Sequence, residues 1–399
     1  MQNFFFLFSV LSVLFVPTVI APVYGLKETV TYGYLPMMMY ALFIFFGGSE
    51  ILNTSKNRQA KKIIMWSVLF FILKFALGQD YFKSILCLLI IPMCMSMVFE
   101  YASATQRRLL LYCVLAFFFI ECGISFFEKS TGLPVIPLQG DEYDHWFEID
   151  REGWQIRSRA LLGHPLQNAM GVMVITTFIL VSKFKLWFRL LCFAVGYISL
   201  FCFNARGATL VATFILIPYI LRTLHVSNIR KKKTIYMALA VGAAVLVNVL
   251  LTTSLGGRIF NEDELMDGSA QTRLDVYDFY KYLSLDDLLF GSPTNYKFLM
   301  HKLGAGGVEN GVITLIIDYG LIITSIMLPL LISFHYKKLS AYYPSLDKWL
   351  VLLVYYVIGT MNPNLAVPTN WVLWIMSYYA LRCVPVIYKG GGKSSPNCS

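Results

Sequence analysis

The sequence predicts an all-α polytopic membrane protein with about twelve transmembrane helices. Three observations predict it. Hydrophobic residues make up 57% of the 399 residues and charged residues only 14%, against about 25% charged in an average soluble domain. The apolar residues are gathered into runs close to the roughly 20 residues that cross a bilayer. The basic residues fall in alternate short loops between those runs, the pattern of a positive-inside topology. This composition excludes an ordinary soluble enzyme, a disordered chain and a secreted disulfide scaffold. The net charge of +10 is thereby a topology signal and does not point to nucleic acid.

In chain order the runs cover about 4–22, 32–49, 63–78, 82–99, 109–127, 166–182, 186–203, 207–224, 235–252, 310–334, 349–366 and 370–388. The first lacks a basic n-region and a small-residue cleavage site, so it is expected to be a helix and not a signal peptide. With the N-terminus in the cytoplasm, the inner loops hold Lys56 to Lys62, Arg107 and Arg108, Lys183 to Arg189, Arg222 to Lys233, and Lys337 to Lys348. The short outer loops hold only Lys27, Lys83 and Arg206. Both termini are then expected in the cytoplasm. Residues 1–389 form one membrane domain, and the Gly/Ser-rich 390–399 a flexible tail. Of the eight cysteines, all but Cys398 lie within or beside apolar runs without metal or disulfide spacing. They are expected to act as small apolar side chains.

Two outer segments are long, about 128–165 and 253–309. Both are acidic and aromatic-rich, and loops of this length without regular structure are uncommon unless functional. Around Arg273–Leu288 the residues Leu274, Tyr277, Tyr280 or Lys281 and Leu285 recur at roughly helical spacing. That predicts a small cap over the outer face.

Four stretches on this outer side carry residues able to do chemistry. They are Arg157-Ser-Arg159 through His164-Pro165-Leu-Gln167-Asn168; Phe203-Asn204-Ala-Arg206-Gly207; Arg273 through Tyr277 with Leu289-Phe290-Gly291; and Glu309-Asn310-Gly311 with Asp318-Tyr-Gly320. Arginine keeps its charge and offers a planar fork that fits phosphate bidentately. Fixed cations of this kind stabilise a lipid diphosphate as it leaves a sugar. A carboxylate or imidazole nearby is able to take the proton of an attacking hydroxyl, and Glu309 and His164 are the candidates. Each residue also has a plainer explanation. Arg157 and Arg159 suit headgroup anchoring, Arg206 a solvated turn and Arg273 a surface ion pair. His164 suits a helix cap, and Glu309 the positive end of a helix dipole. Asp318 lies inside a span, where a carboxylate marks function by default. Lys74 and Glu121 lie close enough to the outer interface to snorkel or to pair with each other. No metal-ligand spacing, P-loop or dinucleotide fingerprint is visible, so neither metal nor cofactor is expected.

Taken in order over about residues 155–325, these stretches resemble the O-antigen polymerase and ligase superfamily. Its pattern runs from an Arg before a His-Pro-Asn-like helix start (Arg159, His164, Pro165, Asn168) to an Arg-Gly turn (Arg206-Gly207). It continues with an outer-loop Arg, an aromatic and Leu-Phe-Gly (Arg273, Tyr277, Leu289-Phe290-Gly291), then a Glu-Asn pair ahead of a glycine (Glu309-Asn310, Gly320). The resemblance implies a GT-C-like membrane glycosyltransferase acting without metal on undecaprenyl-diphosphate-linked glycans, at the outer face of the bacterial inner membrane. It implies diphosphate binding by Arg206, Arg273, Arg159 and Arg157, catalysis by Glu309 or His164, and further contacts from Asn310, Asn168 and Tyr277. Membrane lipids, a chain-length regulator and a flippase are the implied partners. Ligases of the superfamily carry His where this chain has Glu309, which tilts the expectation toward polymerase over ligase. A secondary transporter or lipid flippase is the alternative of another class, although no paired broken helices or half-to-half symmetry are apparent.

Overall fold

The computed structural model describes residues 2–16, 29–47, 55–136, 157–226, 236–237, 240, 244, 247–248, 276–292, 298–299 and 308–382. Among these residues the chain is helical without strands. The helices are α1 (Gln2–Phe15), α2 (Thr29–Gly47), α3 (Arg58–Ala76), α4 (Phe82–Glu100), α5 (Ala104–Thr131), α6 (Pro165–Val181), α7 (Leu186–Cys202), α8 (Arg206–His225), α9 (Leu285–Phe290), α10 (Gly311–Ser340), α11 (Ser345–Met361) and α12 (Pro368–Leu381). Four of them, α4, α5, α8 and α10, are long and apolar enough to cross a membrane. Eleven of the twelve apolar runs fall on described helices. The run 235–252, the acidic stretch 141–152, Arg273 and the tail 390–399 lie outside the described residues, wholly or nearly so.

Local chemistry sets the helix ends. Ser103 caps α5 with a reciprocal box, its Oγ accepting from the Gln106 amide while Gln106 Oε1 accepts from the Ser103 amide at 2.9 Å. Gly132, at φ +71°, ends the same helix in the left-handed conformation. Proline occupies the first turn of α6 and of α12, where its missing N–H costs nothing.

α12 and α6 form the centre. Every residue from Asn370 to Leu381 is buried, and every one from Asn168 to Val181. Helices apolar all round are buried helices. α6 packs on α12, α11, α7 and α5. Trp371, Trp374, Tyr378 and Phe178 fill the seam, with Trp374 and Tyr378 stacked at 5.5 Å. The periphery is apolar as well: Phe43, Phe46, Phe75 and Phe214 are 68%, 88%, 73% and 72% exposed. Apolar exposure this wide suits contact with lipid and not with water. Cys87, Cys113, Cys122, Cys192 and Cys202 are buried and unbridged, as small apolar side chains should be.

One end of the bundle is fastened by ions. Glu100, at the end of α4, accepts from Lys338 of α10 at 2.9 Å, from Arg382 after α12 at 3.2 Å and from the Tyr379 hydroxyl at 2.8 Å. All four residues are buried, and the one carboxylate is shared by two cations where water is excluded.

Two expectations need correction. Lys74 and Glu121 neither snorkel nor hydrogen-bond to each other. Both are fully buried, and each is held by backbone groups of a different segment. The outer-loop helix expected across 273–288 is broken. A 3₁₀ turn covers Val276–Lys281, and α9 begins anew where Ser284 Oγ accepts from the Asp287 amide. Its packed face is Val276, Phe279 and Leu283, while Tyr277, Tyr280 and Leu285 are exposed.

Candidate functional site

The segment Arg157–His164 is held from below by carboxylates. Glu128 Oε2 accepts from the Ser158 hydroxyl at 2.7 Å and from the amides of Arg159 at 2.8 Å and Ala160 at 2.9 Å. Its other oxygen accepts from the Val135 amide at 2.9 Å. Two turns earlier on the same face of α5, Glu121 accepts from the Leu161 amide at 2.9 Å. Asn168 completes the cradle. Its Oδ1 accepts from the Leu162 amide, and its Nδ2 donates to the Arg159 carbonyl. Main-chain geometry around Arg159 is therefore fixed by three side chains, and Ala160 is held at φ +36°, a conformation L-residues avoid unless their surroundings impose it.

This segment lies on the second predicted stretch. The Ser158 amide donates to the Cys202 carbonyl at 3.0 Å, and Arg157 Nε donates to the Phe203 carbonyl at 3.4 Å. Arg206 opens α8 one turn on, after Asn204 at φ +54°.

His164 caps α6, its Nδ1 accepting from the Leu166 amide at 3.3 Å. Burial first, and then the charges of Arg157 and Arg159, pull its pKa down to about 4. The ring is thus neutral near pH 7. A neutral imidazole whose Nδ1 accepts carries its proton on Nε2. In this geometry His164 has Nε2–H as its remaining ring group, a hydrogen-bond donor.

The fourth stretch starts α10. Asn310 Oδ1 accepts from the amides of Val312 and Ile313, at 3.0 and 3.1 Å, and its Nδ2 donates to the Tyr277 hydroxyl at 3.3 Å. Asn310 and Tyr277 are thereby brought together, with Asn310 serving as a helix cap. Glu309 is half-buried immediately before it.

The turn after α11 joins these stretches. A Cβ on Gly311 would run into the carbonyls of Gly359 and Asn362, and one on Gly207 would lie 3.1 Å from Met361 Sδ. Asn364 Nδ2 donates to the Leu166 carbonyl at 3.1 Å. The starts of α6, α8 and α10, each the positive end of a helix dipole, therefore lie close to Met361–Asn364. Nothing marked this turn in the sequence, because it carries no charge. Glu128 was missed too; its signal was the seven-residue spacing from Glu121, which sets both acids on one helix face.

Lys74 and Asp318 belong to a neighbouring joint. Lys74 Nζ donates to the carbonyls of Phe290, Gly291 and Asp318, with Gln79 Oε1 at 3.0 Å and the Tyr81 ring centre at 4.3 Å. The Asp318 carboxylate adds an attractive charge. This joint pins α9 to the break in α10 at Gly320, and Val276, Val308, Ile313 and Ile317 pack beneath it.

No protein-family model matches the chain, and no curated protein sequence matches it.

Proposed function

We propose that this chain is a polysaccharide polymerase of the bacterial inner membrane, with about twelve spans in a GT-C-like arrangement and both termini in the cytoplasm. It would join undecaprenyl-diphosphate-linked repeat units into a surface polysaccharide on the outer face. The observation that carries the reading is the carboxylate-held Arg157–Arg159 segment lying against the turn that leads to Arg206. A chain that uses Glu121, Glu128 and Asn168 to fix the backbone from Arg159 to Leu162 is organised to present a cation at a set position. Preorganised cations of this kind stabilise charge that develops on a leaving group.

In the proposed reaction a hydroxyl of the acceptor's non-reducing sugar attacks the anomeric carbon of the donor glycan. The new C–O bond forms as the anomeric carbon–oxygen bond to the diphosphate breaks. The electron pair leaves on undecaprenyl diphosphate, held by Arg157, Arg159, Arg206 and Arg273. The hydroxyl proton passes to Glu309. His164, donating from Nε2, adds a hydrogen bond to the diphosphate. Asn310 and Tyr277 border the acceptor sugar, and Asn168 positions Arg159.

The test is chain extension in a host whose own copy is deleted. Glu309→Gln and Arg206→Ala should each abolish extension at unchanged protein level. Normal polymer from Glu309→Gln would remove the base, and normal polymer from both would remove the reading.

A further inference from the structure

A second charged site lies at the opposite ends of the helices that build the first. α6 follows its cap His164 and ends at Val181, about 25 Å away at 1.5 Å per residue. There the turn after α6, the start of α7, the second half of α8 and the connection into α11 border an open cavity of about 590 Å³. That volume is in the range of small-ligand sites.

Its lining is unbalanced in charge. Lys183, Arg189, Arg222 and Arg382 face one carboxylate, Asp347, and Asp347 already accepts from the Tyr219 hydroxyl at 2.9 Å. Arg382 shares Glu100 with Lys338, so that group leaves a positive charge uncompensated. Arg189 Nε is buried without a hydrogen-bond partner among the described residues, an arrangement that costs free energy until an acceptor arrives. Lys185, in the same turn, does not line the cavity. Convergence on one cavity thus separates four cations from the general basic character of this side. Low-dielectric walls around like charges concentrate the field inside such a cleft.

We propose that this cavity binds a phosphate group, from the headgroup of an anionic lipid in that leaflet or from free phosphate in the adjoining water. Guanidinium forks from Arg189 and Arg222 would grip its oxygens, and Lys183 would add a point charge. The site is separate from the transfer chemistry and stands whether or not that chemistry is correct.

The test uses the purified full-length chain in neutral detergent, with native mass spectrometry and thermal melting. The probes are dioleoyl phosphatidylglycerol, dioleoyl phosphatidylcholine and millimolar inorganic phosphate. Phosphatidylglycerol should be retained at least tenfold better than phosphatidylcholine, and Arg189→Gln with Arg222→Gln should erase that preference. Arg222 is exposed, so Arg222→Gln alone is a variant that leaves the fold intact and should still weaken retention severalfold. Stabilisation by inorganic phosphate that the same variants abolish, without lipid preference, assigns the site to the free anion. The proposal is overturned if neither probe is preferred. It is equally overturned if Lys185→Gln weakens binding as much as Arg222→Gln does.

Discussion

Glu128 Oε2 lies 2.8 Å from the backbone nitrogen of Arg159. An acid thus grips the main chain at Arg159 and fixes where its side chain starts. The same oxygen also serves Ser158 and Ala160, and the other serves Val135. A glutamine retains one acceptor oxygen and turns a donor toward the remaining N–H. Glu128→Gln should therefore cost about 1–3 kcal/mol and lower chain extension at least tenfold, with protein still present in the membrane. Extension at the wild-type rate would show that the position of Arg159 does not matter.

Glycines form the second joint. Gly291 and Gly320 both have positive φ, and a Cβ on either would collide with the other segment's backbone. Gly320→Ala should lower the melting temperature of the detergent-purified protein by several degrees, the consequence of a loss of about 2 kcal/mol or more. Gly123→Ala is the control, since a Cβ there meets nothing within 4 Å. It should be neutral or slightly stabilising.

The cation beneath that joint should matter equally. Lys74→Met strips the Phe290 and Gly291 carbonyls of their shared ammonium donor and leaves the Asp318 carboxylate without its attractive partner. A loss of about 1–3 kcal/mol is expected from leaving buried acceptors without that donor. Limited proteolysis should then cut the segment around α9 faster than in the wild type. Unchanged cleavage would mean that Lys74 does not hold that segment.

Stability should depend on pH through His164. Its pKa falls from the ordinary 6.5 to about 4 on folding, so between these values the unfolded chain binds more protons. The contribution is complete above about pH 6.5 and is lost as pH falls toward 4. It amounts to roughly 3 kcal/mol at most, from 1.36 kcal/mol per pH unit. Thermal melts from pH 7.5 to 4 should show a slope in that window that His164→Gln flattens. An unaltered slope would assign the acid sensitivity to other groups.

The sequence and the structure part ways for identifiable reasons. Long apolar runs predicted helices well, because composition alone decides whether backbone is hidden from water. The fifth run was ended at 127, where the apolar residues stop, yet the helix continues to Thr131 and brings in Glu128. A buried carboxylate with four donors cannot be told from a solvated one by hydropathy. Spacing likewise suggests one helix holding Tyr277 and Leu285, but Ser284 caps a new helix between them, and both side chains are exposed. The motifs Arg157–Asn168, Arg206–Gly207 and Asn310–Gly311 were legible as polar interruptions. Their common anchor at Met361–Asn364 was not, since close backbone approach leaves no charge pattern to read.

The most direct measurement is a gel of surface polysaccharide from a strain lacking this gene, with the wild type and Arg159→Ala restored beside it. The account predicts glycan reduced to one repeat unit on its acceptor, a full ladder with the wild type, and the single unit again with Arg159→Ala. An unchanged ladder in the deletion strain would contradict it, as would finished polymer accumulating on the lipid carrier with none on lipid A-core.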